Sequence, residues 1–286
     1  MHSSPIWRVK LYGVRGSTPV CDANYQQFGG NTTCIFVDRI TDNRSDVVAI
    51  FDAGTGIRQL GKDLLAGLLP QTSSIFLAFT HFHWDHIQGL PFFAPAYDPN
   101  KKIALFSPQV HLADDDLKNI FATQMQAEYF PVQLESMGAD LKFFTADHYK
   151  SHFDIDQDLQ FTYRKHNHPG GAFSYRVDSG GRSVVISTDL EHGEQIDPAV
   201  VAFAKNADLL IHDAQYTAEE LKTHRGWGHS SYEQAIECAR QANVKQLVFT
   251  HHDPEHDDAF LLEKERELQE IYPNCIMARE GMELLI

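Results

Sequence analysis

The 286-residue chain has no run of about 18 consecutive apolar residues, which excludes a helical membrane span. Cysteine is scarce: Cys21, Cys34, Cys238 and Cys275 make neither a C-x-x-C pair nor a dense framework, so a zinc ribbon and a disulfide-stapled scaffold are both excluded. Positive charge is also short. Lys and Arg number 24 against 39 Asp and Glu, a formal net charge of −15, which argues against a surface that coats nucleic acid or binds an anionic membrane. An anionic substrate would therefore need a local positive centre. The opening Met1-His2-Ser3-Ser4-Pro5 lacks a basic stretch leading into an apolar one, and the expected setting is reduced and cytoplasmic. No linker rich in Pro, Gly or Ser, no repeat and no charge block divides the chain, so a single domain over residues 1–286 is expected.

Histidine is abundant, with 16 residues, and 43% of the chain is hydrophobic, enough for a real core. Short apolar or alternating runs predict strands over residues 7–12, 34–37, 47–51, 75–80, 103–106, 159–163, 173–177, 184–187 and 247–250, with a further buried strand ending at Ile211. Helical spacing predicts helices over 57–68, 112–126, 198–205, 232–242 and 259–271. Ser231 and Gln234 form a capping box that fixes the start of the fourth helix and makes the residues before it a loop. Strands and helices are mixed, so the chain is α/β or α+β.

Thr80-His81-Phe82-His83-Trp84-Asp85-His86 places four potential metal ligands within six residues, directly after a predicted strand. Imidazole and carboxylate suit Zn²⁺ and similar first-row ions. This H-x-H-x-D-H pattern resembles the metallo-β-lactamase superfamily, and further matches follow in order: His168 in His166-Asn167-His168-Pro169-Gly170-Gly171, Asp189 after a strand, and His251 in Thr250-His251-His252-Asp253 after another. The resemblance implies an α+β fold, an αββα four-layer sandwich of two mixed sheets with helices outside. It also implies two divalent metal ions, Zn²⁺ first with Mn²⁺ or Fe as alternatives, one held by His81, His83 and His168, the other by Asp85, His86 and His251, with Asp189 between them. His166 and His252 are ranked below His168 and His251 and assigned supporting or surface roles.

Asp213 in His212-Asp213-Ala214 and His229 in Gly228-His229-Ser230 are similar to the acid and histidine of the tRNase Z branch, with Asp213 standing where that branch has Glu. Cleaving a phosphodiester requires a proton for a departing alkoxide, and His229 oriented by Asp213 would supply it; Asp85 is the third catalytic candidate. Glycine-rich turns at 13–19, 28–33 and 51–56 resemble the opening segments of the tRNase Z and cyclic phosphodiesterase branches, and make Arg15 and Asn31 candidate substrate contacts. The acidic chain leaves only residues 170–188 between His168 and Asp189, with no space for a long basic RNA-gripping arm.

The expected activity is hydrolysis of a small anionic phosphodiester, a cyclic nucleotide or cyclic phosphate, with no long nucleic acid or membrane partner and a homodimer as a family-level expectation. The alternatives are a carboxylic ester, lactone or thioester hydrolase on the same metals, and a non-catalytic, metal-stabilised sensor or interaction protein. Residues 112–131 are read as an outer helix with core aromatics ahead of a substrate lid.

Overall fold

A computed structural model describes residues 6–41, 44–70, 72–109, 113–146 and 159–286. The first half of the chain forms β1 (Ile6–Gly13), β2 (Cys34–Thr41), β3 (Arg44–Phe51), α1 (Ile57–Leu65), β4 (Ser74–Ala78), α2 (Trp84–Ile87), β5 (Lys102–Ser107), α3 (Asp114–Gln124) and β6 (Asp140–Thr145). The second forms β7 (Gln160–His166), β8 (Ala172–Ser179), β9 (Arg182–Ser187), α4 (Pro198–Phe203), β10 (Leu209–Asp213), α5 (Ala218–Leu221), α6 (Tyr232–Gln241), β11 (Gln246–Thr250), α7 (Asp258–Ile271), β12 (Cys275–Met277) and β13 (Glu283–Leu285).

One sheet runs β13-β1-β2-β3-β4-β5-β6 and the other β12-β11-β10-β9-β8-β7. Both are mixed. In the first, β1 to β3 are antiparallel neighbours and β3 to β6 parallel; in the second, β9 to β12 are parallel and β7 to β9 antiparallel.

The side chains explain the layering. A strand turns successive residues to opposite faces, and the central strands are apolar on both. Ile35 and Val37 of β2 enter the core between the sheets, whereas Cys34 and Phe36 enter an outer core with Ile57 and Leu60 of α1 and Leu117 and Phe121 of α3. Val184 and Ile186 of β9, Leu209 and Ile211 of β10, and Val248 of β11 fill the same middle layer. Val185, Leu210, Leu247 and Phe249 face the other way, onto Val200 of α4, Ala235 and Ile236 of α6, and Leu261 and Leu268 of α7. Three cores between four layers make the expected αββα sandwich.

The ten predicted strands and five predicted helices all have counterparts, with shifted ends. The predicted helix over 112–126 is α3, and residue 112 lies outside the described residues. α3 packs Leu117 and Phe121 into the outer core, while Gln124 Nε2 donates to Ile87 O at 2.9 Å, which ties the helix to the histidine-rich turn. The predicted strand over 75–80 leaves the ladder after Ala78. Thr80 N and Oγ1 instead donate to Asp52 Oδ1 and Oδ2, both at 2.8 Å. Strands β6, β12 and β13 and helices α2 and α5 are additional to the sequence expectation.

Candidate metal centre

Parallel strands present their carboxyl ends at one edge, where open α/β sheets place ligands. Here Asp52 follows β3, the turn His81 to His86 follows β4, His168 follows β7, Asp189 follows β9, Asp213 ends β10 and His251 follows β11. The two sheets are laced together at this edge, with Phe173 N donating to Thr80 O at 3.1 Å and Tyr175 Oη to Phe79 O at 2.6 Å.

Two groups of ligand atoms converge here. His81, His83 and His168 form one; Asp85, His86, Asp189 and His251 form the other. Asp189 stands between them. Its Oδ1 lies 3.7 Å from His81 Nε2 and 3.9 Å from His168 Nε2, while its Oδ2 lies 3.0 Å from His86 Nε2 and 3.3 Å from His251 Nε2. All seven residues picked out by sequence thus meet at one place.

Four of the imidazoles are oriented by an outer acceptor on Nδ1. Those acceptors are Thr80 Oγ1 for His81 (3.1 Å), Asp52 Oδ2 for His86 (2.8 Å), Gly228 O for His168 (2.9 Å) and Gln215 Oε1 for His251 (3.0 Å). Thr80 has already given its single hydroxyl proton to Asp52, so it receives one from His81. An Nδ1–H donor leaves Nε2 with its lone pair, and all four Nε2 atoms face the centre. His83 presents Nδ1 instead, 3.0 Å from His168 Nε2.

This donor set fits divalent cations. His81 Nε2 and Asp189 Oδ2 are buried without a hydrogen-bond partner, and His86 Nε2 and His251 Nε2 face each other at 3.3 Å. Leaving such groups unmatched is costly, and a cation satisfies them together. Burial opposes ionisation of Asp189, yet His251, His86 and His81 hold its carboxyl well below the usual carboxylate range. Asp85 is likewise lowered by His86 and His251 against burial.

The backbone is strained at the same edge. Ser17, Asp52, Asp189 and His251 have φ of 62°, 62°, 56° and 64°, a region costly for residues other than glycine. Ser17 N donates to Asp85 Oδ2 at 2.8 Å, which makes its conformation part of the ligand frame. Gly16 and Gly228 are dictated by close approach: a Cβ would lie 2.3 Å from His251 Nδ1 at the first and 2.1 Å from His168 Nδ1 at the second.

Beside the two groups lies the predicted dyad. His229 Nδ1 bonds Asp213 Oδ2 at 2.8 Å, Ser230 N donates to Asp213 Oδ1 at 2.7 Å, and Asp189 N donates to Asp213 Oδ2 at 3.1 Å. One carboxylate therefore fixes both the histidine and the backbone of Asp189. The His229 ring stacks on His251 at 4.9 Å between centroids and stands edge-on to His168 at 5.5 Å. Burial disfavours charge on His229, but Asp213 outweighs it and lifts the imidazole to about 9.

One expectation is corrected. Arg15 is fully buried, and burial lowers its pKa. Its Nε donates to Gly29 O at 2.8 Å and its Nη1 to His256 O at 2.7 Å and Asp253 O at 3.1 Å, so it pins loops together and is not a phosphate fork. Asn31 is partly buried and bonds Glu280, through its backbone N to Oε1 and its Nδ2 to Oε2 at 2.9 Å. Of the supporting and surface roles expected for His166 and His252, burial of both leaves the supporting one. His166 bonds Ser174 Oγ at 2.8 Å and Asp189 O at 3.1 Å, and His252 bonds Ala278 O at 2.9 Å.

Sequence reasoning missed Asp52, Gln215 and Glu191 as positioning groups. Asp52 had a signal, as an acid at a strand end beside a histidine cluster; Gln215 and Glu191 had none. It also missed a third cluster. His192, His212 and Cys238 come together, but His192 Nδ1 accepts from Asp197 N at 3.2 Å, leaving its proton on Nε2 to donate to His212 Nε2 at 3.1 Å. His212 Nδ1 in turn donates to Asp213 O at 2.6 Å. The chain of bonds is satisfied by neutral rings without an ion.

Residues 49–252 match the family model described as "Beta-lactamase superfamily domain". Among curated relatives, the ribonuclease Z of Enterococcus faecalis is 24% identical over 85% of this chain and 88% of its own length, and that of Thermoplasma acidophilum 29% over 79% and 84%. The fold is shared with the short form of human tRNase Z (TM-score 0.65, 19% identity, 97% of this chain and 98% of that one). It is shared too with a diphosphatase from the PhnP family (TM-score 0.68, 18% identity, 100% and 98%). With the family match running from β3 to the His251 turn, through every candidate ligand of the centre, the chain belongs to the beta-lactamase superfamily and is a metal-dependent hydrolase with similarity to the ribonucleases Z.

Proposed function

We propose that the chain hydrolyses a small phosphodiester, such as a cyclic nucleotide or cyclic phosphate, using the paired ligand groups and the Asp213–His229 dyad. His81, His83 and His168 would hold one divalent ion and Asp85, His86 and His251 the other, with an oxygen of Asp189 directed at each. Zn²⁺ is the first choice, with Mn²⁺ or Fe as alternatives. When bound, such a pair supplies Lewis acidity, a nucleophilic water at neutral pH and the positive charge that a chain of net −15 lacks.

The dyad is the observation that carries the reading. Attack of water on phosphorus forms one P–O bond and breaks another, and the departing alkoxide needs a proton. His229 Nδ1 is committed to Asp213, and its Nε2 makes no hydrogen bond among the described residues. The ring therefore faces its two ligand neighbours with a proton-bearing nitrogen to spare. It gives that proton to the leaving oxygen while Asp213 holds the ring and balances its charge.

A small substrate is favoured by what lies between His168 and Asp189. Residues 172–187 are used by the hairpin of β8 and β9, turned at Gly180 and Gly181, so this segment supplies no arm to hold a long RNA. The test is hydrolysis of a chromogenic phosphodiester by Zn²⁺- or Mn²⁺-loaded protein, beside a carboxylic ester with the same leaving group. Phosphodiester turnover is expected; ester turnover without it would overturn the reading and favour an ester or lactone hydrolase.

A further inference from the structure

The chain has three tryptophans. Trp7 is wholly buried between the sheets, but Trp84 is 63% exposed and Trp227 60% exposed. Single exposed aromatics are common on protein surfaces, but these two flank groups that touch one and the same histidine. Trp84 follows His83, whose Nδ1 meets His168 Nε2 at 3.0 Å; Trp227 precedes Gly228, whose carbonyl accepts from His168 Nδ1 at 2.9 Å. Both exposed indoles are thus one residue from a group touching the same candidate ligand.

Trp227 is also held rigidly. Glu191 accepts from Gly226 N through Oε1 at 2.8 Å and from Gly228 N through Oε2 at 2.9 Å, clamping the peptide on each side of the indole. A ladder of rings then runs back to the dyad. Trp227 meets His224 edge-on at 4.7 Å, His224 stacks on Tyr216 at 4.6 Å, and Tyr216 meets His229 edge-on at 5.9 Å. His224 Nδ1 is anchored on Glu220 O at 2.7 Å. An exposed aromatic that is fixed in place has little ordering entropy left to lose when a flat ligand lands on it.

We propose that Trp227, with Trp84, is a stacking surface for an aromatic base, and that the substrate is a nucleoside-bearing phosphodiester rather than one carrying only alkyl or sugar groups. Base–indole stacking tolerates every base, because each has a π-face, so the surface selects the class without selecting the base. The proposal rests on the phosphodiesterase reading and adds the nature of the esterified group.

The test compares the p-nitrophenyl ester of thymidine 5′-phosphate with methyl p-nitrophenyl phosphate, for the metal-loaded wild type, Trp227→Ala, Trp227→Phe and Trp84→Ala. In Trp227→Ala the ratio of kcat/KM for the nucleoside ester to that for the methyl ester should fall about fivefold or more, the least that one lost base–aromatic stack produces. The change should lie mainly in KM, Trp227→Phe should recover most of it, and Trp84→Ala should move the same way. Quenching of tryptophan fluorescence by thymidine 5′-monophosphate gives a readout independent of turnover, and affinity should weaken by a similar factor in Trp227→Ala. A ratio unchanged by Trp227→Ala, with both esters turned over, would overturn the stacking surface and leave phosphodiester hydrolysis standing. Turnover of neither ester by the wild type would overturn the hydrolysis reading; equal nucleotide affinity in wild type and Trp227→Ala would then overturn the stacking surface as well.

Discussion

At the scale of single residues the centre is defined less by its ligands than by the groups behind them. Asp52 accepts from Thr80 N, Thr80 Oγ1 and His86 Nδ1, and burial pushes its carboxyl up against the pull of His86. Removing it in Asp52→Ala should weaken metal affinity about 10- to 100-fold, the usual cost of losing an orienting acceptor, as read by competition with a chromogenic chelator; unchanged affinity would contradict the role. His192 and His212 make a second prediction. Burial and then His212 push His192 down to about 2, so the folded state refuses a proton that the unfolded chain accepts near pH 6.5. Its contribution is complete above that pH and is lost as pH falls, by about 1.4 kcal/mol per pH unit between roughly pH 6 and pH 4. In urea unfolding, His192→Gln should flatten the dependence of stability on pH in that window relative to wild type under identical metal conditions; parallel slopes would refute it. Arg15 shows where residue reading fails. A sequence shows that a guanidinium exists, not that its donors end on carbonyls of Gly29, Asp253 and His256.

At the scale of elements, the ends of strands and the turn after each carry the chemistry. The turn at Gly228 joins three jobs: its carbonyl orients His168, the next residue is His229, and Ser231 then caps α6 by accepting from Gln234 N at 3.2 Å. Gly228→Ala would drive a Cβ into His168 Nδ1, so it should lower metal occupancy more than it lowers the thermal stability of the chelator-treated protein. Plasma emission for the metal and a thermal melt for the fold separate the two effects. Central strands such as β4, β9, β10 and β11 were legible because both faces are buried and their sequences are continuous apolar runs. β12 and β13 have three residues each, too short for any periodicity, and α2 is a single turn whose sequence is the ligand motif itself. Those elements are fixed by their neighbours rather than by their own pattern.

At the scale of the molecule, the sandwich brings residues from 16 to 252 to one edge, so metal binding there should be coupled to folding. Ions that bind only the folded chain add about 2.7 kcal/mol per site at 100 times the dissociation constant. Chelation should therefore lower the midpoint of thermal unfolding by several degrees, and readdition of Zn²⁺ should restore it; a melt indifferent to chelator would contradict a centre built from this edge. The ligand pattern was legible because its residues stand in order after strands. The aromatic ladder was not, since Tyr216, His224, Trp227 and His229 meet through a loop conformation set by Glu191.

The central claim is that His229, held by Asp213, protonates the leaving oxygen of a phosphodiester. The measurement that tests it most directly is kcat for metal-loaded wild type and His229→Ala on two phosphodiesters, one releasing an alkoxide and the other p-nitrophenolate. The account predicts a loss of about 10²-fold or more for the alkyl leaving group and a clearly smaller loss for nitrophenolate, which departs without a proton. An equal loss on both substrates, or none on either, would contradict it.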